Sequence, residues 1–370
     1  MKILLLSTHL NVGGIGIYIV SLAGYLKKSG VDVTVISSGG DLERVLESEK
    51  IQHRKIDIQT RAEFGIKVWK ALPDFLRLVK DENFDLIHAQ TRVAQVLSCL
   101  SQKLTGVPFV TTCHGFFNYK RLGRRIFPCW GDRVIAISRN VMDHLIHDFN
   151  VPADMVRLVY NGIEIERFTE RASLKNIDLI DSLGLKPGQI TVGTVGRLSS
   201  VKGYKFLIEA FKEVIMAVPE TQLLLVGKGP EEKPLADLAG KLGISDNVFF
   251  DKGEKALVED YFALMDVFCL PSLAEGLGLS LMEAMASGCA CIASDIGGLS
   301  ELIESDEDGL LVPPNDPRQI SDAVIRLIKD PELRRGLSRK GRDKALQHFS
   351  IRDSVARTME VYKEVIEGRS

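Results

Sequence analysis

The chain has 370 residues, 45% of them hydrophobic, with 47 basic and 49 acidic side chains and a formal net charge of −2. That length exceeds what one core usually holds, so two domains are expected. The near-neutral balance excludes a whole-protein field that would gather nucleic acid, so any anionic partner must meet a local patch.

Met1 to Leu6 begins like a signal peptide, but Ser7, Thr8, His9 and Asn11 break the run too early. No other apolar run reaches the roughly 18 residues that a membrane span needs. The six cysteines, Cys99, Cys113, Cys129, Cys269, Cys289 and Cys291, lie in apolar segments with no CxxC spacing. Buried, reduced thiols and a cytoplasmic location are the simplest expectation.

Periodicity then predicts alternating strands and helices. The first half opens with a buried strand over 2–6, a loop over 8–16 and a helix to about residue 28, closed by Gly30. Further strands are expected over 31–36, 85–89, 109–112 and 133–137, with Ser138 placed to cap the next helix. The second half restarts the plan: a strand over 190–195, a loop over 196–203 and a helix over 204–216. Short strands follow over 223–226, 248–250, 267–270 and 290–293. Strands separated by helices pair in parallel, so the fold class is α/β with two doubly wound Rossmann-like domains. They are expected over 1–165 and 166–351, with ligands at the carboxyl ends of the strands and therefore in a cleft between the two sheets. A last helix, within 352–368, either braces the first domain or lies on the second.

The candidate chemistry is concentrated in the second half. Glu275 and Glu283 bracket EGLGLSLME, in which Gly276 and Gly278 put Glu275 in a loop and start a helix near Leu279. Free N–H groups and the dipole at that helix start suit a diphosphate. The two carboxylates suit paired hydroxyls of a sugar and a ribose. Arg197 and Lys202, in GRLSSVKG, can neutralise a leaving nucleoside diphosphate without a metal. In the first half, Gly13, Gly14 and Gly16 permit close backbone approach to a ligand, although the spacing is not G-x-G-x-x-G. His114 follows a buried strand, where a neutral imidazole can meet a sugar hydroxyl. Asp306-Glu307-Asp308 has the form of a metal-binding triplet but reads as a solvated turn before Gly309. Taken singly, each feature also occurs as a surface loop, a structural histidine or a tight turn. Their shared place at strand ends in two matching halves favours one site.

These residues resemble retaining glycosyltransferase family 4, the glycosyl transferases group 1, which has the GT-B fold. The resemblance covers nearly the whole chain and is strongest from Gly196 to Asp316. There GRLSSVKG, VGKGP, the E-x₇-E run YFALMDVFCLPSLAEGLGLSLMEAMASG, SDIGG and GLLVPPND stand in the family's order. It implies that Arg197 and Lys202 bind the diphosphate, Glu275 lies at the transferred sugar and Glu283 accepts from the ribose hydroxyls. Amides of Leu277, Gly278 and Leu279 would help to hold sugar and phosphates. Gly14 and Gly16 would line the acceptor side and approach the donor phosphate on closure, His114 would sit beside the reacting sugar, and Asn161 and Gly162 would mark the interdomain segment. It further implies same-face displacement with no protein nucleophile, no metal or other cofactor, and a UDP-, GDP- or ADP-sugar donor. Leu277, Ala290 and Glu164 depart from the family's frequent Phe, Pro and Asp, leaving the charged groups in place.

The acceptor, a glycan or lipid-linked molecule, is expected on the first domain. After His114, residues 116–130 interleave Phe116, Phe117, Tyr119, Phe127 and Trp130 with Lys120, Arg121, Arg124 and Arg125. That mixture suits either an anionic inner membrane face, in cell-surface polysaccharide, lipopolysaccharide or glycolipid assembly, or a basic loop over a soluble acceptor. Three rivals stand beside a transferase: a phosphorylase or epimerase of the same fold, a dinucleotide-dependent oxidoreductase, and a non-catalytic nucleotide- or glycan-binding protein.

Overall fold

The protein is described by a computed structural model over residues 1–60, 62–117, 122–171, 174 and 176–368. The chain forms two compact units, Met1–Gly162 with Ile351–Ser370, and Ile163–Ser350.

The first unit is a seven-stranded sheet. Its strands are β1 (Lys2–Leu6), β2 (Asp32–Ser37), β3 (Gln52–Lys55), β4 (Leu86–Ala89), β5 (Phe109–Cys113), β6 (Arg133–Ala136) and β7 (Val156–Leu158). They lie in the order β3-β2-β1-β4-β5-β6-β7, every pair parallel. β1 is apolar from Ile3 to Leu6 because helices cover both of its faces. Ile3 and Leu5 join a core with Tyr18, Ile19 and Leu22, while Leu4 and Leu6 point the other way, into a core with Val68, Phe75 and Leu97.

The last helix, Ile351–Glu367, belongs to this unit. Val355, Val361, Tyr362 and Val365 enter the core of Ile3 and Leu5. Glu364 accepts from Arg133 Nε at 2.7 Å and from Arg157 Nε at 2.9 Å. These guanidinium contacts, Arg157's first, hold its carboxyl below the usual range against the opposing effect of burial.

The second unit is a six-stranded sheet of β8 (Ile190–Val195), β9 (Thr221–Val226), β10 (Val248–Asp251), β11 (Val267–Leu270), β12 (Ala290–Ser294) and β13 (Leu310–Val312). Its order is β10-β9-β8-β11-β12-β13, again all parallel. In each unit the first strand lies between the second and the fourth. The direction of winding therefore reverses between β1 and β4, and between β8 and β11. Such a reversal leaves a crevice at the carboxyl ends of the strands, where ligands of open α/β sheets bind.

Sequence reading located ten of these thirteen strands. β3, β7 and β13 were not expected. All three are sheet edges of three or four residues, so little apolar patterning marks them. The loop expected over 8–16 is shorter than that, because the helix Gly14–Lys28 already begins at Gly14. Ser138 does cap its helix, its Oγ accepting from the Val141 N–H at 3.2 Å. Among the described residues no helix is long and apolar enough to cross a membrane.

Candidate functional site

In the second unit the loops after β8, β9 and β11 are tied together. Leu198 N–H donates to the Lys228 carbonyl at 2.9 Å, and Leu273 N–H to the Val201 carbonyl at 2.7 Å. The first loop ends in a single turn, Ser200–Lys202, which aims Lys202 across the reversal point. Lys202 Nζ lies 2.6 Å from Glu275 Oε2, and Ser272 Oγ donates to the same oxygen at 3.2 Å. Both charged side chains are largely buried, 19% and 18% exposed, so this pair is well shielded from water. Arg197, on the same loop, is exposed, and no carboxylate among the described residues pairs with it. Lys202 and Glu275 thus meet at one strand-end crevice, with Arg197 on the same loop as Lys202. The direct Lys202–Glu275 contact was not foreseen, since motif spacing carries no distance.

Beyond Glu275 the chain turns at Gly278, whose φ of +101° disfavours any side chain; a Cβ there would meet Leu299 Cδ2 at 2.5 Å. The helix Leu279–Ala286 follows, as its sequence predicts. Among the described residues, the N–H groups of Leu277, Gly278 and Leu279 donate to nothing. They form a donor cluster at a helix start, the arrangement that receives anions.

Glu283 lies one turn into this helix, surrounded by protein though part of its surface meets solvent. Burial is the main influence and pushes its carboxyl up to about 8; Arg167 opposes the rise and Glu259 adds to it. Arg167 stands on the helix Ile165–Arg171, which packs against Leu279–Ala286. Its Nη2 donates to the buried Glu259 at 3.1 Å. Neither Arg167 nor Glu259 falls in a motif, and sequence reading missed both. It also missed a cavity of about 250 Å³ at the ends of β9 and β10, lined by Gly227, Glu232, Phe250, Asp251, Glu254 and Lys255, among others.

The acidic triplet is not a free cluster. Asp306 pairs with Arg326 and Asp308 with Lys344, each at 2.6 Å, and Glu307 pairs with Lys340. Asp306 and Glu307 are more than half exposed, as a solvated turn implies, whereas Asp308 is buried. Among the described residues no group of three metal-ligating side chains comes together.

In the first unit the reversal point is closed by hydroxyls. Thr8, after β1, lies 2.6 Å from Thr91, after β4, oxygen to oxygen. Beside them His114 Nε2 lies 2.7 Å from Gln90 Oε1, and Tyr18 meets the imidazole edge-on with ring centroids 5.5 Å apart. Burial pushes His114 down to about 3, so the ring is neutral across the physiological range. With Nε2 donating to Gln90, Nδ1 is left as an acceptor. Gly14 is exposed at the start of its helix. Gly16 is buried, and a Cβ there would meet the Asn11 carbonyl at 2.4 Å, so its visible role is close packing of the helix on the preceding loop. Tyr119, Lys120 and Arg121 lie outside the described residues, as does the side chain of Arg125.

Two Rossmann-like units with parallel sheets, each reversing at its first strand, define the GT-B class of glycosyltransferases. The family model for glycosyl transferases group 1 matches residues 176–344, and that for glycosyltransferase family 4 matches residues 12–167. A D-inositol 3-phosphate glycosyltransferase of Saccharomonospora viridis is 30% identical over 311 residues, 76% of this chain and 70% of its own. A UDP-Gal:alpha-D-GlcNAc-diphosphoundecaprenol alpha-1,3-galactosyltransferase of Escherichia coli is 28% identical, over 82% and 81% of the two chains. The solved structure of HepE from Anabaena, in complex with UDP and glucose, superposes with a TM-score of 0.86 at 23% identity, covering 98% of this chain and 100% of that one. The chain belongs to glycosyltransferase family 4 and is a glycosyltransferase.

Proposed function

We propose that the chain moves a sugar from a nucleoside diphosphate to a hydroxyl of a glycan or lipid-linked acceptor, with retention of configuration and without a metal. One observation carries the reading: the Lys202–Glu275 pair stands beside the unengaged N–H groups of Leu277, Gly278 and Leu279. As the glycosidic bond breaks, charge builds on the departing diphosphate. Arg197, Lys202 and the amides are already oriented to receive it, so little reorganisation is needed during reaction. Glu275 accepts from hydroxyls of the transferred sugar, and Glu283 from those of the ribose. The cavity at the ends of β9 and β10 takes the base. His114 Nδ1 accepts from a hydroxyl beside the reacting carbon.

The names of the relatives support the donor and acceptor classes. One contains UDP-Gal and diphosphoundecaprenol and another D-inositol 3-phosphate, so both contain a phosphate-bearing molecule besides any donor. The first points to cell-surface glycan assembly on a lipid carrier. A peripheral contact with an anionic inner membrane face is part of this proposal. It rests on Phe116, Ile126 and Phe127, which are 42%, 61% and 51% exposed, with Phe127 packed against the exposed Phe64.

The test is a thermal-shift and hydrolysis screen of UDP-, GDP- and ADP-sugars on wild type, Arg197→Ala and Glu283→Ala. A donor that stabilises wild type, fails to stabilise both variants and slowly releases nucleoside diphosphate supports the reading. NMR of the transfer product then reads the anomeric configuration. If no nucleotide sugar stabilises the wild type at millimolar concentration, the assigned donor site is wrong and a binding protein for another ligand is the better reading. Vesicles of phosphatidylglycerol at low salt test the membrane contact, which fails if none of the protein sediments with them.

A further inference from the structure

Arg124 follows β5 in the first unit, on the short helix Leu122–Ile126, and is only 6% exposed. Buried guanidinium groups are normally paired with carboxylates, because removing the charge from water is otherwise costly. This one is not. Its carbon centre stacks on the Phe117 ring at 3.7 Å, with Trp130 at 5.3 Å and Phe149 at 6.0 Å. Nη1 is buried and donates to nothing. No acidic side chain among the described residues lies within ion-pair distance of it.

Neighbouring charges do not make good the deficit. Arg92, the nearest cation, is itself satisfied: its Nε donates to Glu63 at 2.8 Å, and its Nη atoms donate to the carbonyls of Pro128 and Phe127. Asp148 is turned to His144 Nδ1 at 2.5 Å, while His144 Nε2 accepts from the Phe117 N–H at 3.0 Å. Burial, with the nearby Arg92 charge, lowers Arg124 to about 10, which still leaves it cationic near neutrality. A second donor is orphaned at the end of the adjacent strand, where Gln90 Nε2 is buried without a partner while its carbonyl engages His114. An aromatic-stacked guanidinium with an unpartnered Nη1 presents a planar fork for an oxyanion.

We propose that Arg124 is a binding site for a phosphate group carried by the acceptor. This rests on the transferase reading above and adds the acceptor's anchoring group. The aromatic wall fixes the plane of the fork, so one side chain supplies both charge and orientation. The reacting hydroxyl is then presented at a distance set by the spacer between it and the phosphate.

The chain has two tryptophans, so in a Trp69→Phe background Trp130 is the only indole and reports on its guanidinium neighbour. Inorganic phosphate should change Trp130 emission saturably. The same titration in Arg124→Met, which keeps the bulk and removes the fork, should weaken binding by roughly tenfold or more. Arg124→Lys, which keeps charge without the planar fork, should fall between them; it also serves if the Met variant does not fold. A change with phosphatidylglycerol vesicles but not with inorganic phosphate assigns the phosphate to a lipid headgroup. No saturable change with either probe in wild type overturns the proposal, as does equal binding by the Arg124 variants. A nucleoside diphosphate thermal shift, read on the same samples, separates the two readings. If it persists while phosphate fails, this inference falls and the transferase reading stands; if it is absent from wild type, the donor site falls first.

Discussion

The two units use one topology for two kinds of chemistry. At the reversal point of the first sheet, Thr8 meets Thr91 and a neutral His114 meets Gln90, all by hydrogen bonds between uncharged groups. The second sheet's reversal point holds Lys202 against Glu275, with Arg197 and Glu283 close by in sequence. Parallel winding creates a crevice in both, but the side chains after the strands decide what each can stabilise. A charged crevice suits a departing diphosphate, and a neutral one suits the recognition of hydroxyls.

The largest way to break this contrast is to neutralise the charged crevice. Lys202→Met should lower kcat about 10²–10³-fold with the donor identified by screening, because a preorganised cation is lost where negative charge develops. A loss of less than about tenfold would mean that the leaving group is held elsewhere.

A second test uses the proton on Glu283. An unfolded glutamate titrates near 4.5, whereas the folded site holds its proton up to about 8. Between those values the native state binds the extra proton. The stability contributed by Glu283 is therefore greatest below the lower value, declines as pH rises through the window and levels off above the upper one. The stability of Glu283→Gln relative to wild type should rise across that window and exceed it above the window by up to a few kcal/mol. Melting temperature against pH reads the crossover. The same variant should lose stabilisation by nucleoside diphosphate, the combination expected where function is held at the expense of stability. If wild type and variant run parallel from acid to alkaline pH, the burial argument for this carboxyl fails.

Smaller effects sharpen the structural side. Gly278→Ala combines a left-handed φ with a 2.5 Å approach to Leu299, so it should cost roughly 3 kcal/mol in urea unfolding and displace the amide cluster. Tyr362→Phe should cost about 1–2 kcal/mol, because Tyr362 Oη lies 2.6 Å from Nδ1 of the buried His88. That loss should spare nucleotide binding, since His88 belongs to the other sheet.

Much of the loop geometry of the second unit was legible because glycines and charges there sit at fixed intervals in short loops. Gly278, Leu279 and Glu283 fall where the sequence placed a turn, a helix start and that helix's second turn. The Lys202–Glu275 contact lay beyond sequence because the two residues come from loops after different strands. Arg167 and Glu259 were invisible for a related reason. They act through packing of the helix Ile165–Arg171, and nothing in their local pattern marks them. Gly16 shows the opposite limit: a glycine beside a candidate ligand loop proves to relieve a clash with Asn11. Edge strands escaped because three or four residues with one neighbour need no apolar alternation.

The placement of the last helix bears on how the protein is made. Leu5, Tyr18 and Ile19 are synthesised well before Val355, Tyr362 and Val365, yet share a core with them. Ile163–Ser350 contains all six strands of its own sheet and can close on the ribosome as soon as it emerges. The amino-terminal sheet, although translated first, must wait with an open apolar face until the far end of the chain arrives. Birth order and maturation order are thus reversed. A message cut short before codon 351 would leave a folded second unit tethered to a sticky, unfinished first one, a natural substrate for chaperones and proteases.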